Sequence, residues 1–258
     1  MDIDDPRVSQ VVFYPRKIKK LKSLPENLKI LEFSISDKIT IGGVFFINSE
    51  NLPSILLFHG NGEIAYDYVN FYDLFHNCGV NLAVMDFRGY GFSSGNASYS
   101  NLIDDALPIY EHFQEWIKDN EFENTIFIQG RSLGSACASE IGANNPYNVK
   151  GIIFESGYAS IYNMMTRLFQ INDPSITKES LRKYSNDTRI LKFRKPVLII
   201  HGTNDWIIPN EEAKLIYKAL PDDIDKELIL IKGAGHNNIF SFENEYFTPL
   251  ENFIEKNK

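Results

Sequence analysis

Short apolar runs recur along the chain with helix-length stretches between them. They fall at 55–58, 82–85, 125–128, 152–154, 197–200 and 228–231, are rich in Ile, Leu, Val or Phe, and are closely followed by glycine turns. Runs that are apolar on both faces suit strands buried in a parallel sheet. The intervening stretches carry apolar residues three and four apart. That spacing predicts helices near 63–77, 101–119, 133–144, 160–170, 209–219 and 239–256. Repeated strand–helix units give a doubly wound α/β sheet.

The first part of the chain differs. Residues 28–36 and 39–48 are two strand-like runs around a short Asp37-Lys38 turn, which predicts an antiparallel hairpin at the start of the sheet. Residues 11–14 read as a further edge strand. The expected architecture is a mostly parallel twisted sheet of about eight strands with helices on both faces. No repeat or long linker interrupts it, so residues 1–258 read as one domain. The stretch between Phe154 and Val197 is longer than a simple crossover needs, leaving room for a small cap at about 158–190. Within it Ile161, Met164, Met165, Leu168 and Phe169 fall at helical spacing. They read either as a core stripe or as the wall of a substrate pocket, with Met164, Met165 and Leu168 as the candidate pocket residues.

The most informative segment joins a strand to a helix through Gly130-Arg131-Ser132-Leu133-Gly134. A β-branched and aromatic run enters this Gly-x-Ser-x-Gly turn and an alanine-rich helix leaves it, as in the nucleophile elbow of an α/β-hydrolase. Such a turn strains the serine backbone, so the residues two away must be small. The pattern also occurs at Gly91-Phe92-Ser93-Ser94-Gly95. There the preceding apolar run ends several residues earlier and Asn96-Ala97-Ser98-Tyr99 follows in place of a helix. Ser93 therefore reads as a loop serine and Ser132 as the nucleophile.

Ligands of open α/β sheets sit beyond the carboxyl ends of the strands. Asp205 follows the run 197–200, and His236 follows 228–231 within Gly233-Ala234-Gly235-His236-Asn237. Ser, Asp, His is the chain order of α/β-hydrolase triads. A serine hydroxyl needs a base beside it, which His236 would supply, with Asp205 fixing its tautomer. Asp223 and Asp225, on a charged loop before the last strand, are weaker rivals. His59-Gly60-Asn61-Gly62 follows the first parallel strand, where the second oxyanion donor belongs. The expected donors are the backbone N–H groups of Leu133 and Asn61. His59 and His201 read as buried structural histidines, and His76 and His112 as surface or packing residues.

Composition narrows the function. The chain has 258 residues and a net charge of −8, which disfavours nucleic acid as a partner. Lys17, Lys19, Lys20 and Lys22 form one basic cluster, read as solvated surface with contact to a membrane surface as the alternative. No run approaches a membrane span, no stable membrane anchor is expected, and the acidic N-terminus lacks the pattern of a signal peptide. The two cysteines, Cys78 and Cys137, are placed on helices behind different strands, which fits a reduced cytoplasmic compartment. No metal-ligand spacing, phosphate loop or dinucleotide fingerprint is present, so no metal or cofactor is expected.

Taken together, Phe13-Tyr14-Pro15, His59-Gly60-Asn61-Gly62, Asp86-Phe87-Arg88-Gly89-Tyr90-Gly91, the Ser132 elbow, His201-Gly202 through Asp205 and Pro209, and Gly235-His236-Asn237 resemble one branch of the serine α/β-hydrolases. Its members are esterase-like and peptidase-like and include the α/β-hydrolase-domain depalmitoylases. The resemblance implies serine-dependent hydrolysis of an acyl bond and makes the Asp86–Gly91 segment a structural loop. The N-terminal cysteine cluster of the membrane-bound depalmitoylases has no counterpart, because the first cysteine is Cys78. The expected activity is cleavage of small carboxylic ester or thioester substrates. A peptidase or amidase with the same triad is the alternative, and a non-catalytic receptor on this fold is a third reading.

Overall fold

The computed structural model describes residues 2–19 and 25–258. Its sheet runs β1 (Leu28–Ser36), β2 (Ile39–Phe46), β3 (Ser54–Phe58), β4 (Asn81–Met85), β5 (Ile126–Arg131), β6 (Val149–Glu155), β7 (Val197–Gly202) and β8 (Lys226–Ile231), in the spatial order β1-β2-β4-β3-β5-β6-β7-β8. β1 pairs antiparallel with β2, and β2 antiparallel with β4; every later pairing is parallel. This is the α/β-hydrolase fold. Strands β3 to β7 are buried along their length apart from Lys150, which is why they read as continuous apolar runs.

Two apolar layers cover the sheet. Phe113, Ile117, Ala138, Ile141, Ile190 and Ile216 pack on one face. Tyr68, Phe75, Tyr246, Leu250 and Phe253 pack on the other. The strand order reverses between the adjacent strands β3 and β5: after β3 the chain crosses to β4 on one side, and after β5 it crosses to β6 on the other. Beyond the carboxyl ends of those two strands lies the crevice in which such sheets hold ligands.

The element reading needs corrections. Residues 11–14 are not an edge strand: Pro6–Val12 is a helix. The Asp5 side chain accepts the Arg7 N–H, Pro6 occupies the first turn, and Val8 and Val12 bury one face. The helix expected over 101–119 is two, Tyr99–Asp104 and Ala106–Asp119. They meet at Asp105, whose carboxylate accepts Nε and Nη2 of Arg88 at 2.7 and 2.6 Å. Over 160–170 only Ile161–Asn163 is α-helical, and a wide turn at Met164–Leu168 follows. Cys78 lies in the turn after the helix Tyr72–His76 rather than on a helix. Cys137 is within Ser135–Asn144 as expected. Both cysteines are free and buried, in apolar layers on opposite faces of the sheet. Lys17 and Lys19 are exposed, while Lys20 and Lys22 lie outside the described residues. Among the described residues no helix is long and apolar enough to cross a membrane.

Candidate active site

Ser132 begins a tight turn between β5 and the helix Ser135–Asn144. Its φ is +50°, in the left-handed region, which costs a non-glycine residue about 1–3 kcal/mol. Packing enforces that conformation. A Cβ on Gly134 would fall 2.0 Å from the carbonyl oxygen of Phe58, and one on Gly130 would fall 2.6 Å from that of Gly134. The two glycines let the elbow press against β3, leaving Ser132 at the sheet's carboxyl edge.

The loops after β7 and β8 meet it there. Nε2 of His236 lies 3.0 Å from Oγ of Ser132, and Nδ1 lies 2.7 Å from Oδ2 of Asp205. A carboxylate only accepts, so Nδ1 carries the hydrogen and Nε2 is left to accept the hydrogen bond of the Ser132 hydroxyl. Ser132, Asp205 and His236 are each buried but not sealed, at 7, 6 and 9% exposure. Asp223 and Asp225 are exposed and far from this chain of contacts, and Asp225 pairs with Lys256 instead.

Asn61 sits across the crevice, held by its side chain. Its Nδ2 donates to the carbonyl of Val12 at 2.6 Å, and its Oδ1 accepts the Tyr14 N–H at 3.0 Å and the Tyr90 hydroxyl at 2.7 Å. Tyr90 belongs to the Asp86–Gly91 loop, so that loop braces the turn bearing Asn61. Among the described residues no partner takes the Asn61 backbone N–H, and Asn61 and Leu133 both line the cleft at Ser132.

That cleft has a volume of about 300 Å³. Ile161, Met164, Leu168 and Phe169 form an apolar wall, and Tyr99 and Tyr158 face it with their hydroxyls hydrogen-bonded to each other. Met165 does not line the cleft. It is fully buried in the core, because the wide turn at Met164–Leu168 carries Met164 and Leu168 to the cavity and Met165 under it.

The remaining histidines fall as follows. His59 is fully buried, with Nδ1 2.8 Å from the carbonyl of Gly60 and its ring against Phe87 and Tyr90. His201 is also fully buried, and its Nε2 is 3.3 Å from Oδ2 of Asp205, a contact that sequence reasoning missed. His76 is half-buried near the Phe46 carbonyl, and His112 stacks on Phe33. Ser93 lies in a loop, where its Oγ accepts the backbone N–H of Gly42 at 2.9 Å. Among the described residues no group of three or more His, Cys, Asp or Glu is arranged to hold a metal ion.

A family model described as serine aminopeptidase, S33, matches residues 49–186 and 182–244. The chain belongs to that family. Among curated relatives, protein bem46 of Schizosaccharomyces pombe is 25% identical over 88% of this chain and 76% of its own length. The lysophosphatidylserine lipase ABHD12 of Xenopus tropicalis is 29% identical over 66% of this chain and 47% of its own. Among solved structures, the Pyrococcus furiosus esterase Pf2001 superposes with a TM-score of 0.74 at 19% identity, covering 94% of this chain and 98% of that one. The last likeness shows the fold. This S33-family chain is a hydrolase of the α/β-hydrolase superfamily.

Proposed function

We propose that this hydrolase cleaves carboxylic esters or thioesters of small acyl substrates through an acyl-enzyme intermediate. The observation that carries the reading is the continuous run of contacts from Oγ of Ser132 through His236 to Asp205. Oγ attacks the substrate carbonyl carbon as its proton passes to Nε2 of His236. The carbonyl oxygen takes the negative charge, facing the backbone N–H groups of Leu133 and Asn61. Collapse breaks the bond to the alcohol or thiol, which leaves with the proton from His236. Water then repeats the sequence and frees the acid.

The acyl group lies along the wall of Ile161, Met164 and Leu168, and the stretch 158–190 is the small cap of a single domain. Esterase and lipase relatives agree with this substrate class. The buried free thiols of Cys78 and Cys137 suit a cytoplasmic location.

A peptidase reading has one observation in its favour, the aminopeptidase description of the family model. An aminopeptidase must hold the substrate's ammonium group, and among the described residues that line the cleft none is a carboxylate. A panel of p-nitrophenyl esters from acetyl to octanoyl, an acyl thioester and aminoacyl p-nitroanilides separates the two. Esters and thioester should turn over while the anilides do not. Anilide cleavage at an equal or greater kcat/KM overturns the ester reading.

A further inference from the structure

The triad reading leaves open what holds three loops in one geometry, and a buried charge cluster beneath them addresses that. Arg131 stands directly before Ser132 and is 5% exposed. Its Nε donates to Oε1 of Glu63 at 2.6 Å, Nη1 donates to Oε1 of Glu155, and Nη2 donates to the backbone carbonyl of His236 at 3.0 Å. Glu63 belongs to the loop after β3. Its Oε2 accepts the backbone N–H of Gly60 at 2.9 Å and the Tyr68 hydroxyl at 3.1 Å. Glu155 ends β6, and its Oε2 accepts from the Tyr246 hydroxyl at 3.3 Å and the Gln129 amide at 3.4 Å.

Stability alone does not account for such a cluster. Burying charges is costly, and an apolar filling of equal volume often holds a core as well. A guanidinium adds a rigid planar fork of donors that can fix several acceptors at set angles. Here the acceptors come from three segments: the histidine loop, the loop after β3 that carries Asn61 and Glu63, and the end of β6. The hold on His236 is through its carbonyl, which leaves Nδ1 for Asp205 and Nε2 for Ser132. Burial opposes ionisation of Glu63, but the charge and hydrogen bond of Arg131 outweigh it and keep the carboxyl below its usual range.

We propose that Arg131 is a positioning residue: its guanidinium fastens the His236 carbonyl and, through Glu63, the Gly60–Asn61 turn to the base of the nucleophile elbow. Base, oxyanion donor and nucleophile thereby share one anchor. The inference goes beyond the triad reading and rests on it.

The test uses Arg131→Lys, which keeps the charge and loses the fork, and Glu63→Gln, which keeps the shape and loses the charge. Each variant and their combination are assayed on p-nitrophenyl acetate, with kcat counted per site titrated by a fluorophosphonate and the melting temperature measured alongside. A misplacement near 1 Å costs up to about 100-fold, so each single should lose about 10- to 100-fold in kcat per site. KM should stay within about threefold of wild type. The double should be no worse than the poorer single, because both cut the same tie. A per-site kcat within about threefold of wild type in the singles, or a loss confined to KM, overturns the proposal. So does a double whose losses multiply. Glu63 is partly exposed, so if Arg131→Lys does not fold, the kcat and KM of Glu63→Gln decide alone. Failure of the triad reading is read separately, as activity that survives Ser132→Ala in the same series.

Discussion

Nε2 of His201 stands 3.3 Å from Oδ2 of Asp205, the oxygen that also faces Nδ1 of His236. The same nitrogen lies 2.8 Å from the carbonyl of Ile208, which only accepts, so Nε2 of His201 carries a hydrogen. Oδ1 of Asp205 takes the backbone N–H groups of Ile207 and Ile208 at 3.0 and 2.8 Å. Both carboxylate oxygens are thus surrounded by donors. Burial opposes ionisation here, but the hydrogen bonds from His201, His236 and the Ile208 N–H outweigh it. The Asp205 carboxyl is held well below the usual range.

That arrangement fixes what an amide would do. In Asp205→Asn the amide oxygen stays with the Ile207 and Ile208 N–H groups, which turns the NH₂ toward His201 and His236. A donor then faces Nδ1 of His236, and the imidazole moves its hydrogen to Nε2, where it cannot take the serine proton. We expect a loss of about 10⁴ in kcat with the fold retained. Asp223→Asn and Asp225→Asn should stay near wild type. Steady-state kinetics on an activated ester, with circular dichroism, checks both. A dead Asp225→Asn beside an active Asp205→Asn would move the orienting role to Asp225.

The depressed Asp205 carboxyl also predicts a pH dependence of stability. A group whose folded-state pKa is lowered contributes stability above its unfolded value, here 3.8, and loses it as pH falls through the folded value. The melting-temperature gap between wild type and Asp205→Asn should therefore hold from about pH 7 to about pH 5 and narrow as pH falls below about 4. A gap that widens in acid would show that Asp205 is not stabilised as a carboxylate.

Neighbouring residues of the wide turn should respond differently to added bulk. Leu168 lines the cleft and Met165 is core. Leu168→Trp should reduce kcat/KM for octanoyl esters more than for acetyl esters, through excluded volume along the acyl wall. Met165→Trp should lower stability by about 1–3 kcal/mol through overpacking and treat all chain lengths alike. Kinetics on the two esters, with thermal melts, distinguishes them. Equal chain-length effects in both variants would remove the acyl group from this wall.

The strands could be read from the sequence because a strand buried on both faces is one apolar run with a glycine turn behind it. The elbow was readable for a local reason too, since Gly130 and Gly134 meet steric demands within two residues of Ser132. The end of the helix Pro6–Val12 is not legible at 11–14, because a short β-branched and aromatic stretch carries no period long enough to separate helix from strand. Its deciding signal was the Asp5 cap with Pro6 behind it. Of the stripe's two readings Met165 takes the core and Met164 and Leu168 the cleft, because a wide turn breaks the 3.6-residue period on which the stripe is drawn. The Arg131 cluster could not be read at all. Its partner Glu155 is 24 residues away and meets it only through the register of β5 on β6, and Glu63, 68 residues away, meets it only through the packing of the loop after β3.

If the triad reading holds, Ser132, and not Ser93 of the other Gly-x-Ser-x-Gly turn, is the nucleophile. Covalent labelling by a fluorophosphonate, mapped by peptide mass spectrometry in wild type, Ser93→Ala and Ser132→Ala, tests it most directly. Label should appear on Ser132 in wild type and in Ser93→Ala, with ester hydrolysis largely kept in the latter. Ser132→Ala should take up no label and lose on the order of 10³–10⁶ in kcat. Labelling or turnover that survives Ser132→Ala would contradict the triad.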